Sequence, residues 1–289
     1  MTATGPFLLT PHLAERVWGG SLLGDGIGEA WDLSVHPNGH SSVASGPDKG
    51  RTLAEVVAER PDDFGGGIDL LAKRLDCAAN LSVQVHPRTG DPKTEAWVVL
   101  DAEPGAGVYL GFAGRPDEAR VRAAALDGTL GELMAFHELA VGDAVFVPAG
   151  TVHAIGAGLV LFELQQSSDT TYRLFDWGRT GRELHLDDGL GCADLAPPPE
   201  PQVPSILDDG SERLVECPFF HIDRLGEGLA VADPGGRWVA VLATSGAARA
   251  GDVTLEAGST LVVPASAGVV ALFAEPGFSG LRYGPMGQA

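Results

Sequence analysis

Positive charge is scarce in this chain. Its 289 residues include 19 lysines and arginines against 39 aspartates and glutamates, which gives a net charge of −20. Such a surface repels nucleic acids and anionic membranes, so we expect neither as a partner. It gives no long-range attraction to a phosphate, so any phosphate must be recognised locally. Only three basic residues are lysines, Lys49, Lys73 and Lys93, which makes each of them a candidate for a specific role.

Cysteine and long apolar runs are also scarce. The three cysteines, Cys77, Cys192 and Cys217, are odd in number, widely spaced and not part of a CxxC motif. This pattern predicts reduced thiols, buried as small apolar groups, in a cytoplasmic protein. No run approaches the ~18 consecutive apolar residues of a membrane-spanning helix. The first sixteen residues also lack the basic segment and the long apolar run of a signal peptide, so we expect none.

Glycine and proline, by contrast, are abundant, with 40 and 20 residues. They predict many turns, and with an apolar content of 44% they favour a mainly β protein with short strands around a real core. The clearest strand patterns lie at 69–100 and 137–177. Short helices are predicted at 51–64, where Pro61 ends the apolar periodicity, and at 116–135.

A proline-rich segment divides the chain. Residues 196–205 contain five prolines, a composition typical of a linker. We therefore predict a metal-binding catalytic domain at 1–195, preceded by lead-in strands of its own, and a second β-barrel domain at 206–289.

Two segments repeat one pattern. GDAVFVPAGTVH at 142–153 is matched by GSTLVVPASAGV at 258–269, with Val269 in the place of His153. We interpret this as one β-barrel unit present twice. The second copy has lost a histidine that the first retains, so we expect it to be degenerate.

The segment LSVQVHP places polar side chains on one face of a strand. Strand side chains alternate between faces, so Ser82, Gln84 and His86 share a face opposite Leu81, Val83 and Val85. Three polar groups in a dry core would be costly. The pattern therefore predicts a polar cavity on this side of the strand.

Two further motifs add donors to this cavity. KTEAWVVL places Lys93 and Glu95 on a common strand face, and VPAGTVHAI delivers His153 just after a Pro-Gly turn. With Gln84 and His86 they form a nitrogen and oxygen donor set without thiolates. Such a set predicts one divalent metal per chain, with zinc favoured and cobalt, manganese and iron left open.

Taken together, the motifs QVHP, KTEAW, VPAGTVHAI and ELQQSSDTTYRLFDWGR resemble the type I mannose-6-phosphate isomerases, in particular the short bacterial form. ERVWGG and GEAWDLSVHP fit the same family, and the resemblance covers about residues 7–190. It implies a mainly β fold of two cupin-type (jelly-roll) β-barrels with a few short helices. It also implies a zinc-dependent interconversion of mannose 6-phosphate and fructose 6-phosphate.

The resemblance assigns roles residue by residue. The metal ligands that it implies are Gln84, His86, Glu95 and His153. The catalytic residues that it implies are Arg173, Glu163, Lys93 and Asp169. The substrate-binding residues that it implies are Ser82 and Lys73, for the phosphate, and Trp18. Two departures from the family stand out: Ala157 lies where cupins often have asparagine, and the helical insertion of the long members is absent.

An isomerisation through an enediol requires a base on one face of the sugar. Glu163 is the first choice, with Lys93 and Asp169 as rivals. A carboxylate beside a metal and an arginine is expected to have a depressed pKa and to be ionised at the start. Arg173 would then hold the enediolate or the phosphate through its planar fork.

Other functions stay open at this point. A related isomerase acting on another phosphosugar or a free sugar would keep the same motifs, and a sugar-sensing cupin would keep the pocket without turnover. A dioxygenase-type cupin is disfavoured, because that chemistry prefers three ligands and open positions, whereas Gln84 supplies a fourth. The expected partner is a small phosphosugar, and the chain is expected to be a monomer or a homodimer.

Overall fold

A computed structural model describes residues 5–286 of the chain, and strands dominate them. The predicted mainly β class is confirmed. The strands, in chain order, are β1 Phe7–Thr10, β2 His12–Glu15, β3 Ile27–Leu33, β4 Ser42–Val43, β5 Leu70–Cys77, β6 Val83–Val85, β7 Glu95–Ala102, β8 Gly107–Phe112, β9 Met134–Glu138, β10 Ala144–Val147, β11 His153–Ile155, β12 Leu159–Gln166, β13 Tyr172–Phe175, β14 Ser205–Ile206, β15 Glu212–Glu216, β16 Phe220–Leu225, β17 Gly228–Ala232, β18 Trp238–Ser245, β19 Ala247–Ala250, β20 Val253–Glu256, β21 Thr260–Pro264, β22 Val270–Ala274 and β23 Ser279–Pro285.

Four short α-helices interrupt the strands of the described chain. They are α1 Leu53–Glu59, α2 Glu118–Asp127, α3 Leu130–Leu133 and α4 Leu186–Cys192, and two 3-10 turns lie at Pro61–Phe64 and Ala265–Ala267. The helices expected within 51–64 and 116–135 are therefore confirmed. α1 begins at a capping box in which Thr52 and Glu55 bond each other's backbone N–H groups. α4 was not predicted, because its two glycines weaken the helical pattern.

The described residues divide into two compact units. Unit 1 contains residues 5–12, 31–72 and 202–286, and unit 2 contains 13–30 and 73–201. The sequence-based division at the linker 196–205 stays a prediction. The two observed units differ from the predicted domains, because residues 5–12 and 31–72 belong to the same unit as the C-terminal third. One physical reason is that β1 pairs with β21, which seats the N-terminal strand in a sheet of C-terminal strands.

Unit 2 is built around two antiparallel sheets. One has the order β10-β7-β12-β5-β3-β2, and its strands β2, β3 and β5 continue into unit 1. The other has the order β13-β6-β11-β8-β9. Side chains from both sheets, such as Leu161 of the first and Ile155 of the second, share one apolar core. The helices α2, α3 and α4 cover the opposite face of the five-stranded sheet with Val121, Leu130 and Leu190.

Unit 1 repeats this construction with sheets in the order β14-β15-β16-β23-β18-β21-β1-β4 and β17-β22-β19-β20. Its core lies between them and includes Val241 and Val263 of the larger sheet and Leu272 of the smaller. Among residues 5–286 none of the four sheets closes on itself. The predicted barrels are thus double sheets with free edges, which is the form that a jelly roll takes.

The predicted internal repeat is visible in the backbone. Gly142 and Gly258 both have a positive φ, at 93° and 81°, and each begins the turn that leads into β10 or β21. β10 then pairs with β7 as β21 pairs with β18, so that Val147 lies opposite Glu95 and Val263 opposite Val239. The second copy therefore carries a buried valine where the first carries Glu95.

Two smaller expectations can be compared with the structure. All three cysteines are free thiols; Cys77 and Cys217 are buried as predicted, whereas Cys192 is only partly buried because α4 lies at the surface. Across residues 5–286 no helix is both long and apolar enough to cross a bilayer. The signal-peptide expectation concerns a segment whose first four residues lie outside the described residues.

Candidate metal centre

Three neighbouring strands place polar side chains in one row across the five-stranded sheet. His153 on β11 lies opposite Gln84 on β6, and Gln84 lies opposite Arg173 on β13. Val83 and Val85, on either side of Gln84, pack in the core beneath the helices. The predicted alternation of LSVQVHP is therefore present, and the row faces the space between the two sheets of unit 2.

Three of the four predicted ligands meet in this space. The ligand atoms of His86, Glu95 and His153 all lie within 4.8 Å of one another, and all three side chains are buried. His153 Nε2 is 3.2 Å from Glu95 Oε1, and His86 Nε2 is 3.5 Å from Glu95 Oε2. Residues separated by 67 positions in sequence thus present two imidazole nitrogens and a carboxylate to one point.

Both imidazoles are held with the same nitrogen turned inward. His86 Nδ1 lies 2.9 Å from the carbonyl oxygen of Thr170, and His153 Nδ1 lies 2.9 Å from that of Thr151. A carbonyl only accepts, so each Nδ1 donates and each neutral ring keeps the lone pair on Nε2. Backbone carbonyls orient metal-binding histidines in this way.

The carboxylate of Glu95 also fits a cation. Both of its oxygens are buried, and neither receives a hydrogen bond of regular geometry. Lys93 Nζ lies 2.9 Å from Glu95 Oε2 and 3.4 Å from His86 Nε2. Burial alone would raise the pKa of Glu95, but Lys93 and His86 outweigh it and hold that pKa well below its ordinary value. Burial, with Lys93, lowers the pKa of His86 to about 4, so this ring is neutral and able to ligate.

Gln84 adjoins this trio through its amide. Its Nε2 lies 3.3 Å from His153 Nε2, and its Oε1 accepts from Ser82 Oγ at 3.2 Å. Rotating the amide by half a turn would direct Oε1 at the centre while Nε2 donates to Ser82, whose hydroxyl can accept. The role of Gln84 as a fourth ligand stays a prediction.

A second group of buried charges lies on the six-stranded sheet. Lys73 Nζ is 3.6 Å from Glu163 Oε1 and 3.9 Å from Glu29 Oε2. Burial raises the pKa of Glu163, against the lowering effect of Lys93. Without a bound cation, desolvation of this carboxylate outweighs the attraction of Lys93 and Lys73. The lowered pKa expected beside a metal and an arginine stays a prediction.

Two residues that contact this group, Glu29 and Trp97, were not predicted from the sequence. Glu29 is one of two acids, with Asp32, in the otherwise apolar strand IGEAWDL, which was a usable signal, and Arg16 donates to Glu29 at 2.9 Å. Trp97 donates its indole N–H to Glu163 Oε2 at 3.1 Å and is fully buried. Trp97 follows Glu95 by two residues. Because strand side chains alternate between faces, the pattern that puts Lys93 and Glu95 on one face puts Trp97 on that face as well.

Arg173 belongs to a basic group, here called the arginine cluster, formed by Arg173, Arg179 and Arg182. Asp176, which is buried, accepts from Arg179 at 2.7 Å and from Arg182 at 3.2 Å. Burial and the neighbouring Arg182 lower the pKa of Arg173. Arg173 Nη1 donates to the carbonyl of Glu183, whereas its Nε is buried without a partner. Two guanidinium groups thus pair with one buried carboxylate, and Arg173 meets the charge of Asp176 only at longer range.

The remaining predicted site residues lie farther from the trio. Asp169 is exposed in the loop between β12 and β13, next to the Thr170 carbonyl that orients His86. Trp18 is buried in the apolar core that also holds Trp97. Their predicted roles stay predictions.

Comparison with known proteins settles the family. A family model described as phosphomannose isomerase type I, catalytic domain, matches residues 23–104. Mannose-6-phosphate isomerase ManA of Bacillus subtilis (strain 168) is 35% identical over 250 residues, which cover 76% of this chain and 79% of that protein. The chain belongs to the mannose-6-phosphate isomerase family. The resemblance found in the sequence is confirmed.

Solved members of the mannose-6-phosphate isomerase family share the fold. The crystal structure of the Bacillus subtilis enzyme superposes with a TM-score of 0.88 at 26% identity, over 97% of this chain and 100% of that one. A zinc-bound mannose 6-phosphate isomerase superposes with a TM-score of 0.76 over 96% and 99% of the two chains. Its identity is 13%, so this second likeness concerns the fold alone.

Proposed function

We propose that this protein is a metal-dependent aldose–ketose isomerase that interconverts mannose 6-phosphate and fructose 6-phosphate through an enediol. The observation that carries the proposal is the buried trio His86, Glu95 and His153, with both Nε2 lone pairs already directed inward. The 35% identity to a protein named mannose-6-phosphate isomerase supports the substrate.

His86, Glu95 and His153 would hold one divalent metal, with Gln84 as the fourth ligand after rotation of its amide. Two nitrogens and two oxygens suit zinc, and the zinc-bound relative with this fold supports that choice. Lewis-acid polarisation of a substrate oxygen is the chemistry that a divalent metal supplies at such a site.

Glu163 is the best-supported base. A base works best when its pKa lies near the operating pH, and burial moves the pKa of Glu163 in that direction. Glu163 can thus take a proton from one sugar carbon and return it to the next. Lys93 is a poor rival, because its ion pair with Glu95 outweighs burial and raises its pKa, which keeps it protonated. Asp169 is a weaker rival, because it lies in an exposed loop rather than among the buried charges.

The arginine cluster, rather than Lys73, is the better phosphate site. The charge of Lys73 is enclosed between Glu29 and Glu163, and its side chain is only 6% exposed. The arginine cluster has two positive charges in excess of Asp176, in a chain whose net charge is −20. Planar guanidinium groups match phosphate oxygens in pairs. We propose that these arginines, with Ser82 just before the adjoining strand β6, bind the phosphate.

Two further expectations concern the cellular location and the oligomeric state. The free thiols of Cys77, Cys192 and Cys217 support a cytoplasmic setting, which stays a prediction. A monomer or a homodimer also stays a prediction.

A coupled assay tests the function. Purified protein should convert mannose 6-phosphate but not mannose, lose activity to a chelator and regain it with zinc. Arg179→Ala should raise KM for mannose 6-phosphate at least roughly tenfold, as expected when a charged contact to the phosphate is lost. Arg122→Ala is the matched control, since Arg122 pairs with the exposed acids Glu118 of α2 and Asp187 of α4. Equal turnover of mannose, or full activity without metal, would refute the proposal.

A further inference from the structure

We propose that Trp97 is a positioning residue for Glu163, which directs the proton of the isomerisation to one chosen carboxylate oxygen. The inference rests on the proposed function, in which Glu163 is the base. It concerns a residue that touches the base and a metal ligand at once.

The contact is direct and enclosed. Trp97 on β7 lies opposite Glu163 on β12, so adjacent strands hold the two residues in register. The indole nitrogen is 3.1 Å from Glu163 Oε2, and the two residues are 0% and 4% exposed. The indole ring also meets His153 edge-on, with ring centroids 5.5 Å apart. Water therefore has little access with which to replace this hydrogen bond.

The indole N–H of Trp97 distinguishes the two carboxylate oxygens of Glu163. An indole N–H can donate but never accept, so Oε2 is held as an acceptor in every protonation state of Glu163. A proton taken from the substrate is therefore directed to Oε1. That oxygen lies 3.6 Å from Lys73, so the proton arrives beside a cation that favours its release.

The internal repeat offers a comparison within the chain. The pairing registers of β7, β10 and β12 match those of β18, β21 and β23, which places Val241 at the position of Trp97 and Arg282 at that of Glu163. Where the carboxylate is replaced, the indole is replaced too.

Trp97→Phe removes the donor and keeps an aromatic ring beside His153. Trp238→Phe is the matched control. Trp238 is also buried in a strand, at 1% exposure, but its indole nitrogen has no hydrogen-bond partner among the described residues. Both variants leave a similar void, so a difference between them reports the lost hydrogen bond.

Kinetics of the zinc-loaded enzyme give the first readout. Trp97→Phe should lower kcat by about 10- to 100-fold, because small misplacements of a reacting group have effects of about that size. KM should stay within about twofold of the wild-type value, since no substrate contact is lost. Trp238→Phe should change neither constant. Equal kcat values for the two variants would overturn the inference.

An indole NMR spectrum gives a second readout that is independent of turnover. The chain has five tryptophans, and the signal absent from Trp97→Phe identifies Trp97. Glu163→Gln should move that signal and leave the one assigned by Trp238→Phe in place. If the Trp97 signal does not respond, the inference fails whatever the substrate. If it responds but mannose 6-phosphate is not converted, the proposed function fails and the positioning contact stands.

Discussion

Lys93 contacts two of the residues that would hold a metal, and this leads to an uncommon prediction. Its ammonium lies 2.9 Å from Glu95 Oε2 and 3.4 Å from His86 Nε2. In metal-free protein it neutralises Glu95, whereas in metal-loaded protein it repels the cation. Replacing Lys93 by methionine should therefore destabilise the first form and strengthen metal binding.

The geometry sets the size of both effects. At 2.9 Å the attraction between the two charges is about 6 kcal/mol for an effective dielectric constant of about 20. Part of it offsets desolvation, and removing one partner of a buried pair typically costs about 3–5 kcal/mol. We take about 3 kcal/mol for the loss of stability in metal-free Lys93→Met. The same free energy favours the cation that replaces the ammonium, so zinc affinity should rise roughly 100-fold.

Two measurements test this reasoning. Thermal unfolding in a chelator should show a lower Tm for Lys93→Met than for wild type, and added zinc should narrow that gap. Competition with a coloured chelator should show the tighter zinc binding. Lys73→Met is the control: it removes another buried lysine, whose neighbours are Glu29 and Glu163, and should leave zinc affinity unchanged. Zinc binding that is unchanged or weaker in Lys93→Met would refute the argument.

Two further predictions concern unit 1. Burial lowers the pKa of His221 to about 4 from 6.5, against the raising effect of Asp223; stability should therefore fall as pH falls below 6.5, by about 2 kcal/mol between pH 7 and pH 5. A smaller fall of Tm over that range in His221→Phe would support this, and an identical fall would contradict it. Arg282 donates to Asp223 through two nitrogens at 2.9 and 2.8 Å, so Arg282→Met should cost about 3 kcal/mol. The loss of Tm should be equal with and without zinc, and a zinc-dependent loss would count against this assignment.

The strand period predicted much of the site. Alternation in LSVQVHP was enough to place Gln84 and His86 on one face, and the Pro-Gly turn before His153 aimed a third donor. Local spacing could not reveal that Glu163 meets Lys73 and Glu29, because that contact depends on how three strands pair. The pKa of Glu163 is raised by burial, and the sequence does not show how deeply an individual side chain is buried.

The assembly of the two units was harder to anticipate. Proline content predicted a boundary at 196–205, and residue 202 begins the last segment of unit 1, but the grouping of residues 5–12 and 31–72 with that segment was not predicted. Nothing in the local pattern of FLLT indicated that β1 would pair with β21 more than 250 positions later. Pairing between distant strands depends on the global fold, whereas local propensity and turn chemistry reflect neighbours along the chain.

The row of Arg173, Gln84 and His153 has a consequence for substrate length. Each residue occupies one of three adjacent strands, so the backbones at the two ends stand two strand spacings apart, roughly 10 Å. Backbone hydrogen bonds maintain that separation, and no side-chain substitution at either end can change it. The preference among metals, by contrast, depends on the ligand side chains and can be altered by exchanging them. With Arg173 in the proposed phosphate site, this fixed backbone spacing limits the number of carbons that fit between the reacting end of a sugar and its phosphate, within the range that side-chain length allows.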